Sequence, residues 1–65
     1  MSRKEIIKKS GYKKSYLAEL FNMQPSRFTD WLNFKCPLGT VKTNTVNRKK
    51  LARMIKVKVR ALDEK

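Results

Sequence analysis

Histidine is absent from this 65-residue chain, and cysteine occurs only once, at Cys36. Without histidine there is no base for a Ser-His-Asp or Cys-His nucleophile, and too few ligands remain for a zinc site. One cysteine also excludes an internal disulfide, so Cys36 is interpreted as a small, partly buried apolar residue. The carboxylates of Glu19 and Asp30 are interpreted as solvated or salt-bridging groups rather than as an acid–base pair. We therefore predict that the protein is not an enzyme and that it uses no cofactor or metal.

Long apolar runs are missing as well. No stretch approaches the roughly 20 apolar residues that a membrane-spanning helix requires. Residues 1–9 are charged and contain only two isoleucines, which is unlike a secretory signal peptide. These features predict a soluble, intracellular protein that is not bound to a membrane, and no small-molecule ligand is evident.

Acidic residues are scarce. Five Asp and Glu stand against seventeen Lys and Arg, which gives a formal net charge of +12 and an isoelectric point near 10.4. Such a surplus opposes folding by self-repulsion, and a chain of this length buries only about 60% of its unfolded surface. A polyanionic partner would relieve the repulsion, and nucleic acid is the commonest polyanion in cells.

Two short amphipathic helix patterns occupy residues 14–33. They are separated only by residues 22–25, in which Asn22 tolerates the left-handed conformation that ends a helix and Pro25 suits the first position of the next. Two helices joined by so short a connection must cross steeply, so residues 14–33 predict a helix-turn-helix motif. The apolar faces consist of Leu17, Ala18 and Phe21 in the first helix and of Phe28, Trp31 and Leu32 in the second.

The whole chain, residues 1–65, is predicted to be one mainly α-helical domain of four or five short helices. A first helix is expected over residues 2–10, with Ser2 as its N-terminal cap and Gly11 as its end. Its inward face should carry two isoleucines, which are Ile6 and Ile7.

Residues 34–43 interrupt the helical pattern, because Pro37 and Gly39 favour a turn-rich loop. A short hairpin over residues 40–46 is the alternative for this region. A further helix is predicted over residues 44–55, capped by its first or second residue, Asn44 or Thr45.

The segment 55–62 fits two structures equally. Its strict alternation of Val with basic residues favours a strand, whereas its apolar residues also line one side of a continuing helix. Either structure leaves an apolar stripe that a monomer of 65 residues could hardly cover. Residues 56–65 are therefore predicted to be a dimerisation segment or a tail, and the protein is a candidate homodimer.

The motif resembles the helix-turn-helix of the Cro/CI-like repressor family, which occurs in phage and plasmid regulators. The resemblance covers about residues 5–34 and is weak elsewhere. It rests on the spacing of the pair Gly11-Tyr12, the pair Leu17-Ala18, and Phe21, Met23, Phe28 and Trp31.

Several positions depart from the pattern of that family, and they affect the helix ends more than the motif. Asn22 stands where glycine is commonest, and Lys13 stands where a Ser or Thr cap is usual. Leu32 and Phe34 replace the acidic residue and the glycine that often close the second helix.

The resemblance implies a transcriptional regulator of the repressor type that binds double-stranded DNA in a sequence-specific way. It would act in the cytoplasm of a bacterial host, at the nucleoid. The second helix of the motif would be the recognition helix, which enters the major groove.

The outward side chains of that helix are of the types that read base edges or reach nearby phosphates. Asp30 is unusual on such a surface, where it could accept from a cytosine amino group or orient Arg27. Phe28 and Trp31 are assigned to the core rather than to base stacking, because they share a face with Leu32. The candidate base-contacting residues are Gln24, Ser26, Arg27, Thr29, Asp30 and Asn33.

Lys and Arg at the start of a helix oppose the helix macrodipole and lower its stability. Their presence at such positions is therefore better explained by contacts with phosphates. This applies to the residues that open the second and the last predicted helices, and by resemblance Lys14 is at a phosphate-contacting position. The loop after the recognition helix follows the sugar-phosphate backbone in the resembled family, which suits Lys35, Thr40, Lys42 and Thr43. The candidate phosphate-contacting residues are Lys13, Lys14, Lys35, Lys42, Arg48 and Lys49.

Three other functions fit the same sequence features. One is an excisionase or another architectural factor that bends DNA. Another is an interaction module that acts on a second repressor or on a polymerase through the same helices. The third is a cationic membrane-active peptide, against which the Trp31-centred core argues.

Overall fold

Four α-helices and one 3-10 helix follow one another along the chain, and residues 2–64, which the computed structural model describes, contain no strand. The prediction of a mainly helical fold is therefore confirmed. Met1 and Lys65, the two ends of the predicted domain, lie outside the described residues. The elements are α1 (Arg3–Ser10), α2 (Lys14–Leu20), α3 (Pro25–Leu32), α4 (Asn44–Met54) and the 3-10 helix (Val59–Asp63).

Helix α1 begins and ends as predicted. The Ser2 side chain accepts a hydrogen bond from the backbone N–H of Glu5, which satisfies one of the free donors at the helix start. Gly11 follows the last turn with a φ of +82°, a left-handed conformation that costs glycine nothing. Ile6 and Ile7 face the core, as expected.

The turn between α2 and α3 confirms the predicted helix-turn-helix. Asn22 adopts a φ of +57°, and the next backbone N–H, of Met23, donates to the Ala18 carbonyl at 2.7 Å. Pro25 then occupies the first turn of α3, where a missing backbone donor has no cost. The connection thus takes only four residues, and α2 packs directly against α3.

The same left-handed ending recurs after α3 and α4, at residues that the sequence does not mark with glycine. Phe34 has a φ of +61° and Lys56 a φ of +58°. In each case the backbone N–H of the next residue donates a hydrogen bond to a carbonyl in the last turn of the helix. The Lys35 N–H donates to the Asp30 carbonyl at 2.8 Å, and the Val57 N–H donates to the Ala52 carbonyl at 3.0 Å. Non-glycine residues adopt this conformation only at some cost in free energy.

The core consists of the apolar faces that the sequence predicted, together with two leucines from other segments. Leu38 comes from the loop after α3 and Leu62 from the 3-10 helix, and both are fully buried. Trp31 and Phe28 lie at the centre with their ring centroids 5.5 Å apart. The buried apolar residues are Ile6, Ile7, Leu17, Ala18, Phe21, Phe28, Trp31, Leu32, Leu38, Leu51, Ala52 and Leu62.

The loop over residues 34–43 contains no hairpin, so that alternative is wrong. Two asparagines at the start of α4 hold it through the backbone of Leu38. Asn44 Oδ1 accepts from the Leu38 N–H at 2.9 Å, and Asn47 Nδ2 donates to the Leu38 carbonyl at 2.8 Å. The loop is therefore fixed to the body of the protein, with its single leucine in the core.

The predicted cap of α4 at Asn44 or Thr45 is also wrong. Thr43 occupies the position before the helix, and the chain already turns at Thr40. The Thr40 N–H donates to Thr43 Oγ1 at 3.0 Å, and the Thr43 N–H donates to Thr40 Oγ1 at 3.2 Å. The Asn44 N–H donates to the Thr40 carbonyl at 2.9 Å. This reciprocal pattern is typical of a helix start, so Thr40 and Thr43 use their hydroxyls internally.

Arg3 is the one buried charged residue among residues 2–64. Its Nε donates to the Leu62 carbonyl and its Nη1 to the Trp31 carbonyl at 2.5 Å. The guanidinium Cζ lies 4.3 Å from the centroid of the Trp31 ring and 3.7 Å from that of Phe34. Arg3 thereby connects α1, the end of α3 and the C-terminal 3-10 helix.

The carboxylate of Asp63 balances the positive charges of two arginines, Arg3 and Arg48. Asp63 lies 3.5 Å from Arg3 Nη2 and accepts from Arg48 Nη1 at 2.6 and 2.7 Å. Burial lowers the pKa of Arg3 from its usual value, and Asp63 partly offsets that effect.

Residues 55–62 form neither the strand nor the continuing helix that the sequence suggested. Helix α4 ends at Met54, and the left-handed Lys56 redirects the chain into the 3-10 helix. Leu62 is buried, and the neighbouring apolar residues pack partly against the core. The stripe is therefore largely covered within the chain, and dimerisation through residues 56–65 stays a prediction.

Replacing Lys56 by glycine should stabilise the fold by about 0.5–1 kcal/mol, because glycine adopts the left-handed conformation without strain. The matched control is Lys58→Gly, which removes the same charge at a φ of −75° and should destabilise the fold. Urea unfolding followed by circular dichroism measures both. If the two variants change the free energy of unfolding equally, strain at Lys56 is not the cause.

Replacing Arg3 by methionine should reduce the free energy of unfolding by about 2–4 kcal/mol, because buried carbonyls lose charged donors and Asp63 loses a cation. Arg48→Met, which removes a less buried cation from the same carboxylate, should cost only about 1 kcal/mol. Thermal and urea unfolding of both variants check this. If both variants lose the same free energy of unfolding, Arg3 does not stabilise the fold more than Arg48 does.

Candidate nucleic-acid interface

Helix α3 separates its apolar residues from its polar residues. Phe28, Trp31 and Leu32 are buried on one side. At 100° per residue, Ser26, Asp30 and Asn33 project from the opposite side, and Arg27 and Thr29 flank them. The structure therefore places the predicted base-contacting residues on the outer surface of α3, with Gln24 just before its first residue and Asn33 just after its last.

These outward residues differ in how freely they can bind a ligand. Gln24, Ser26, Arg27 and Asn33 are exposed, whereas Thr29 and Asp30 are half-buried. The Thr29 hydroxyl donates to the Pro25 carbonyl at 3.1 Å. Arg27 and Asp30, both within the described residues, form no ion pair, so Asp30 does not orient Arg27 as proposed from the sequence.

The loop after α3 folds back along the helix. The thiol of Cys36 donates to the Arg27 carbonyl with Sγ 3.3 Å from the oxygen, and the Lys35 N–H donates to the Asp30 carbonyl. Cys36 is half-buried, as the sequence predicted. A shallow cleft of about 390 Å³ lies between the N-terminal end of α3 and the loop, and it is lined by Asn22, Met23, Gln24, Arg27 and Gly39.

Gly39 fixes the far wall of this cleft. It has a φ of +98°, and a Cβ atom there would lie 2.6 Å from Asn47 Nδ2 and 2.8 Å from Thr43 Oγ1. Both atoms are held by the hydrogen bonds that anchor the loop. No larger side chain fits without breaking that anchor.

The first turn of α2 carries exposed cations and no acidic residue. Lys13 occupies the cap position without a side-chain hydrogen bond to the helix, and Lys14 and Ser15 follow, all exposed. This arrangement leaves the free backbone donors of the helix start to solvent. The predicted phosphate-contacting lysines are therefore accessible.

The other predicted phosphate-contacting residues divide into two groups. Lys35, Lys42 and Lys49 are exposed. Arg48 is half-buried and bound to both carboxylate oxygens of Asp63, so it would have to break that ion pair to reach a phosphate. Thr40 and Thr43, which the sequence favoured as backbone contacts, bind each other instead.

Sequence reasoning missed two exposed tyrosines beside the helix-turn-helix. Tyr12 is 38% exposed, and Tyr16 is 50% exposed. Their rings stack with centroids 5.8 Å apart and planes inclined by 12°. The spacing of four residues across a helix start is the only signal that would have indicated this pair.

One acidic residue lies close to the N-terminal end of α3. Glu19 of α2 lines a second shallow cleft together with Ser15, Asn22 and Gln24. Its carboxylate would face any anion placed at Gln24 from the side of α2. A phosphate is therefore better accommodated on the side of Arg27.

Comparisons of the chain with protein-family models, with curated proteins and with solved structures return no match. Membership of the Cro/CI-like family therefore stays a prediction from the motif. Within the described part of the chain, no helix is long and apolar enough to cross a bilayer. Over the same residues, no three Cys, Asp or Glu side chains form a group that could hold a metal ion.

Replacing Gly39 by alanine should destabilise the protein by about 2 kcal/mol or more, because the new Cβ would displace Asn47 and release Leu38. The control is Gly11→Ala, where φ is also positive but no atom lies within 4 Å of the added Cβ. That variant should lose only about 1 kcal/mol. Urea unfolding measures both, and a Gly39→Ala loss no larger than that of Gly11→Ala would contradict the anchoring of this loop.

Proposed function

We propose that the protein is a sequence-specific regulator of the Cro-like type that binds double-stranded DNA through α3. The observation that carries the proposal is the α2–α3 pair, packed together across a four-residue turn, which leaves the polar N-terminal end of α3 exposed in a chain of net charge +12. An α-helix fits the major groove of B-DNA, and such a pair is the usual way to place it there.

Four side chains are the best candidates for base contacts, because they are exposed and make no hydrogen bond within residues 2–64. Gln24 and Asn33 offer amide groups that pair with adenine edges, and Arg27 offers a guanidinium that pairs with guanine. The Ser26 hydroxyl can form a hydrogen bond with either adenine or guanine. Thr29 and Asp30 are weaker candidates, because both are half-buried and the Thr29 hydroxyl already has an internal acceptor.

Affinity in this proposal comes from lysines that flank the reading helix. Lys13 and Lys14 would contact phosphates from α2, and Lys35 and Lys42 from the anchored loop. Lys49 of α4 is the remaining candidate for a phosphate contact. Arg48 is no longer a candidate, because it forms an ion pair with Asp63. If these lysines neutralise about five phosphates, affinity should fall roughly 500-fold between about 50 and 200 mM salt.

A palindromic operator would require two copies of this protein. The principal extents are 22 × 21 × 19 Å. Half-sites read from one face of DNA are about 34 Å apart, so one copy reaches a single half-site. The proposed homodimer would have little of the stripe at residues 55–62 to use, because that stripe is largely covered.

Other functions keep weaker support. An architectural, DNA-bending role shares the same surface, and no structural feature of residues 2–64 favours it over sequence-specific binding. Action in a bacterial cytoplasm, as a phage or mobile-element repressor, follows from the motif resemblance alone. An interaction module has one specific observation behind it, the tyrosine pair beside α2.

Arg27→Ala should relax the base preference at one position of the bound sequence and weaken binding to the selected site by about 1–3 kcal/mol. Lys14→Ala should instead weaken binding to all duplexes alike and reduce the salt dependence by about one phosphate contact. Arg60→Ala, exposed on the 3-10 helix, removes one positive charge away from α3 and is the matched control.

The measurement is fluorescence anisotropy with random duplexes across a salt series, followed by sequencing of the bound pool. An enriched motif that Arg27→Ala alters and Arg60→Ala leaves unchanged supports the proposal. Salt-dependent binding without any enriched motif would favour an architectural factor. Absence of binding at low salt would overturn a DNA-binding function altogether.

A further inference from the structure

A cleft of about 490 Å³ lies between α1 and the start of α2. Its walls come from both helices, from the turn between them, and from the last residue of α3. This volume is in the range of pockets that hold a ligand group. The lining residues are Lys4, Ile7, Lys8, Gly11, Tyr12, Lys13, Lys14 and Leu32.

The interior of the cleft is apolar. Ile7 and Leu32 form its floor, and the ring of Tyr12 forms a wall. The stacking of Tyr16 on Tyr12 and the hydrogen bond of the Tyr12 N–H to Ser10 Oγ at 3.2 Å hold that wall in place. Gly11 leaves the rim open, because no atom lies within 4 Å of a Cβ built there.

The rim of the cleft is uniformly positive. Lys4 and Lys8 border it from α1, and Lys13 and Lys14 border it from α2, all four exposed. No carboxylate lines the cleft, and no Asp or Glu of the described residues forms an ion pair with these lysines. Lys4 and Lys8 are one helical turn apart, about 6 Å along the axis of α1.

A cleft with an apolar interior and cations on both sides is complementary to a chain that carries carboxylates around an apolar side chain. Duplex DNA does not match it as well, because a sugar-phosphate backbone offers no side chain to fill the interior. The cleft also touches α3 at Leu32, about 10 Å along the helix from the end that would read bases. Lys4 and Lys8 are not among the proposed DNA contacts.

We propose that this cleft binds an acidic peptide segment of a partner protein, with one aromatic or large aliphatic side chain against Ile7, Leu32 and Tyr12. Such a segment would also occupy Lys13 and Lys14. Its binding would therefore exclude DNA and act as a means of regulation, and this second part rests on the proposed function.

The test uses a short fluorescent peptide that places one tryptophan between runs of glutamate, and a second peptide with alanine in place of the tryptophan. The tryptophan peptide should bind about tenfold more tightly, because it buries a large aromatic side chain. Equal affinities would mean that the cleft contributes only unspecific attraction between charges, and the proposal would be wrong.

Matched protein variants separate the cleft from the overall charge. Lys4→Gln combined with Lys8→Gln should weaken the tryptophan peptide about fivefold, whereas Lys58→Gln combined with Arg60→Gln, with the same loss of charge, should change it less than about twofold. Tyr12→Ala, at an exposed position, should weaken it as well. Equal effects of the two double variants would overturn the assignment to this cleft.

Competition with a labelled duplex tests the regulatory part. Unlabelled tryptophan peptide should displace the duplex from the wild type, and the Lys4→Gln, Lys8→Gln variant should bind duplex like the control variant but resist displacement. A duplex that stays bound at saturating peptide contradicts exclusion. Peptide binding without any duplex binding would overturn the DNA function and leave the cleft assignment standing. Duplex binding without peptide binding would overturn the cleft assignment and leave the DNA function standing.

Discussion

The buried guanidinium of Arg3 is the interaction on which the arrangement of the segments depends. An arginine removed from water is costly unless its donors are used and its charge is balanced. Here two backbone carbonyls, two aromatic rings and the carboxylate of Asp63 surround it. Because those groups belong to α3, to the residue after its C-terminal turn and to the C-terminal 3-10 helix, satisfying Arg3 brings these parts together around one small core.

This anchoring gives the two ends of α3 different properties. The C-terminal end is held by Arg3 and by the left-handed turn at Phe34, so it contributes to stability. The N-terminal end carries exposed side chains without internal partners, so it is available for recognition. The loop that borders it is fixed by Asn44 and Asn47 through the backbone of Leu38. In the proposed function, a surface bordered by this fixed loop would lose little conformational freedom on binding DNA, which would favour affinity.

Local features of the fold could be predicted from the sequence, because their causes lie within a few residues. Ser2, Asn22 and Pro25 determine helix ends by their own backbone preferences and hydrogen bonds, and the apolar faces follow from helical spacing. Features that depend on distant partners could not be predicted. Nothing near Arg3 indicates that it is buried, since its partners are Trp31, Leu62 and Asp63.

The same distinction applies to the candidate site. The outward position of Ser26 and Arg27 follows from the period of α3, and it agrees with the prediction. Arg48 was assigned to phosphate because it lies in the first half of a helix, whereas its actual partner, Asp63, is fifteen positions away in the chain. Lys56 adopts a conformation that favours glycine, and no pattern in its neighbours reveals that. Tertiary contacts decide such positions.

The bond between Arg3 and the Leu62 carbonyl joins positions separated by 59 residues. Contacts of this span form late in folding, because the loop they close must first lose its entropy, whereas α2 and α3 can meet through local contacts. Interactions absent from the transition state act on the rate of unfolding rather than on the rate of folding. We therefore expect the contacts of Arg3 to act mainly on the rate of unfolding, and the helix-turn-helix to act mainly on the rate of folding.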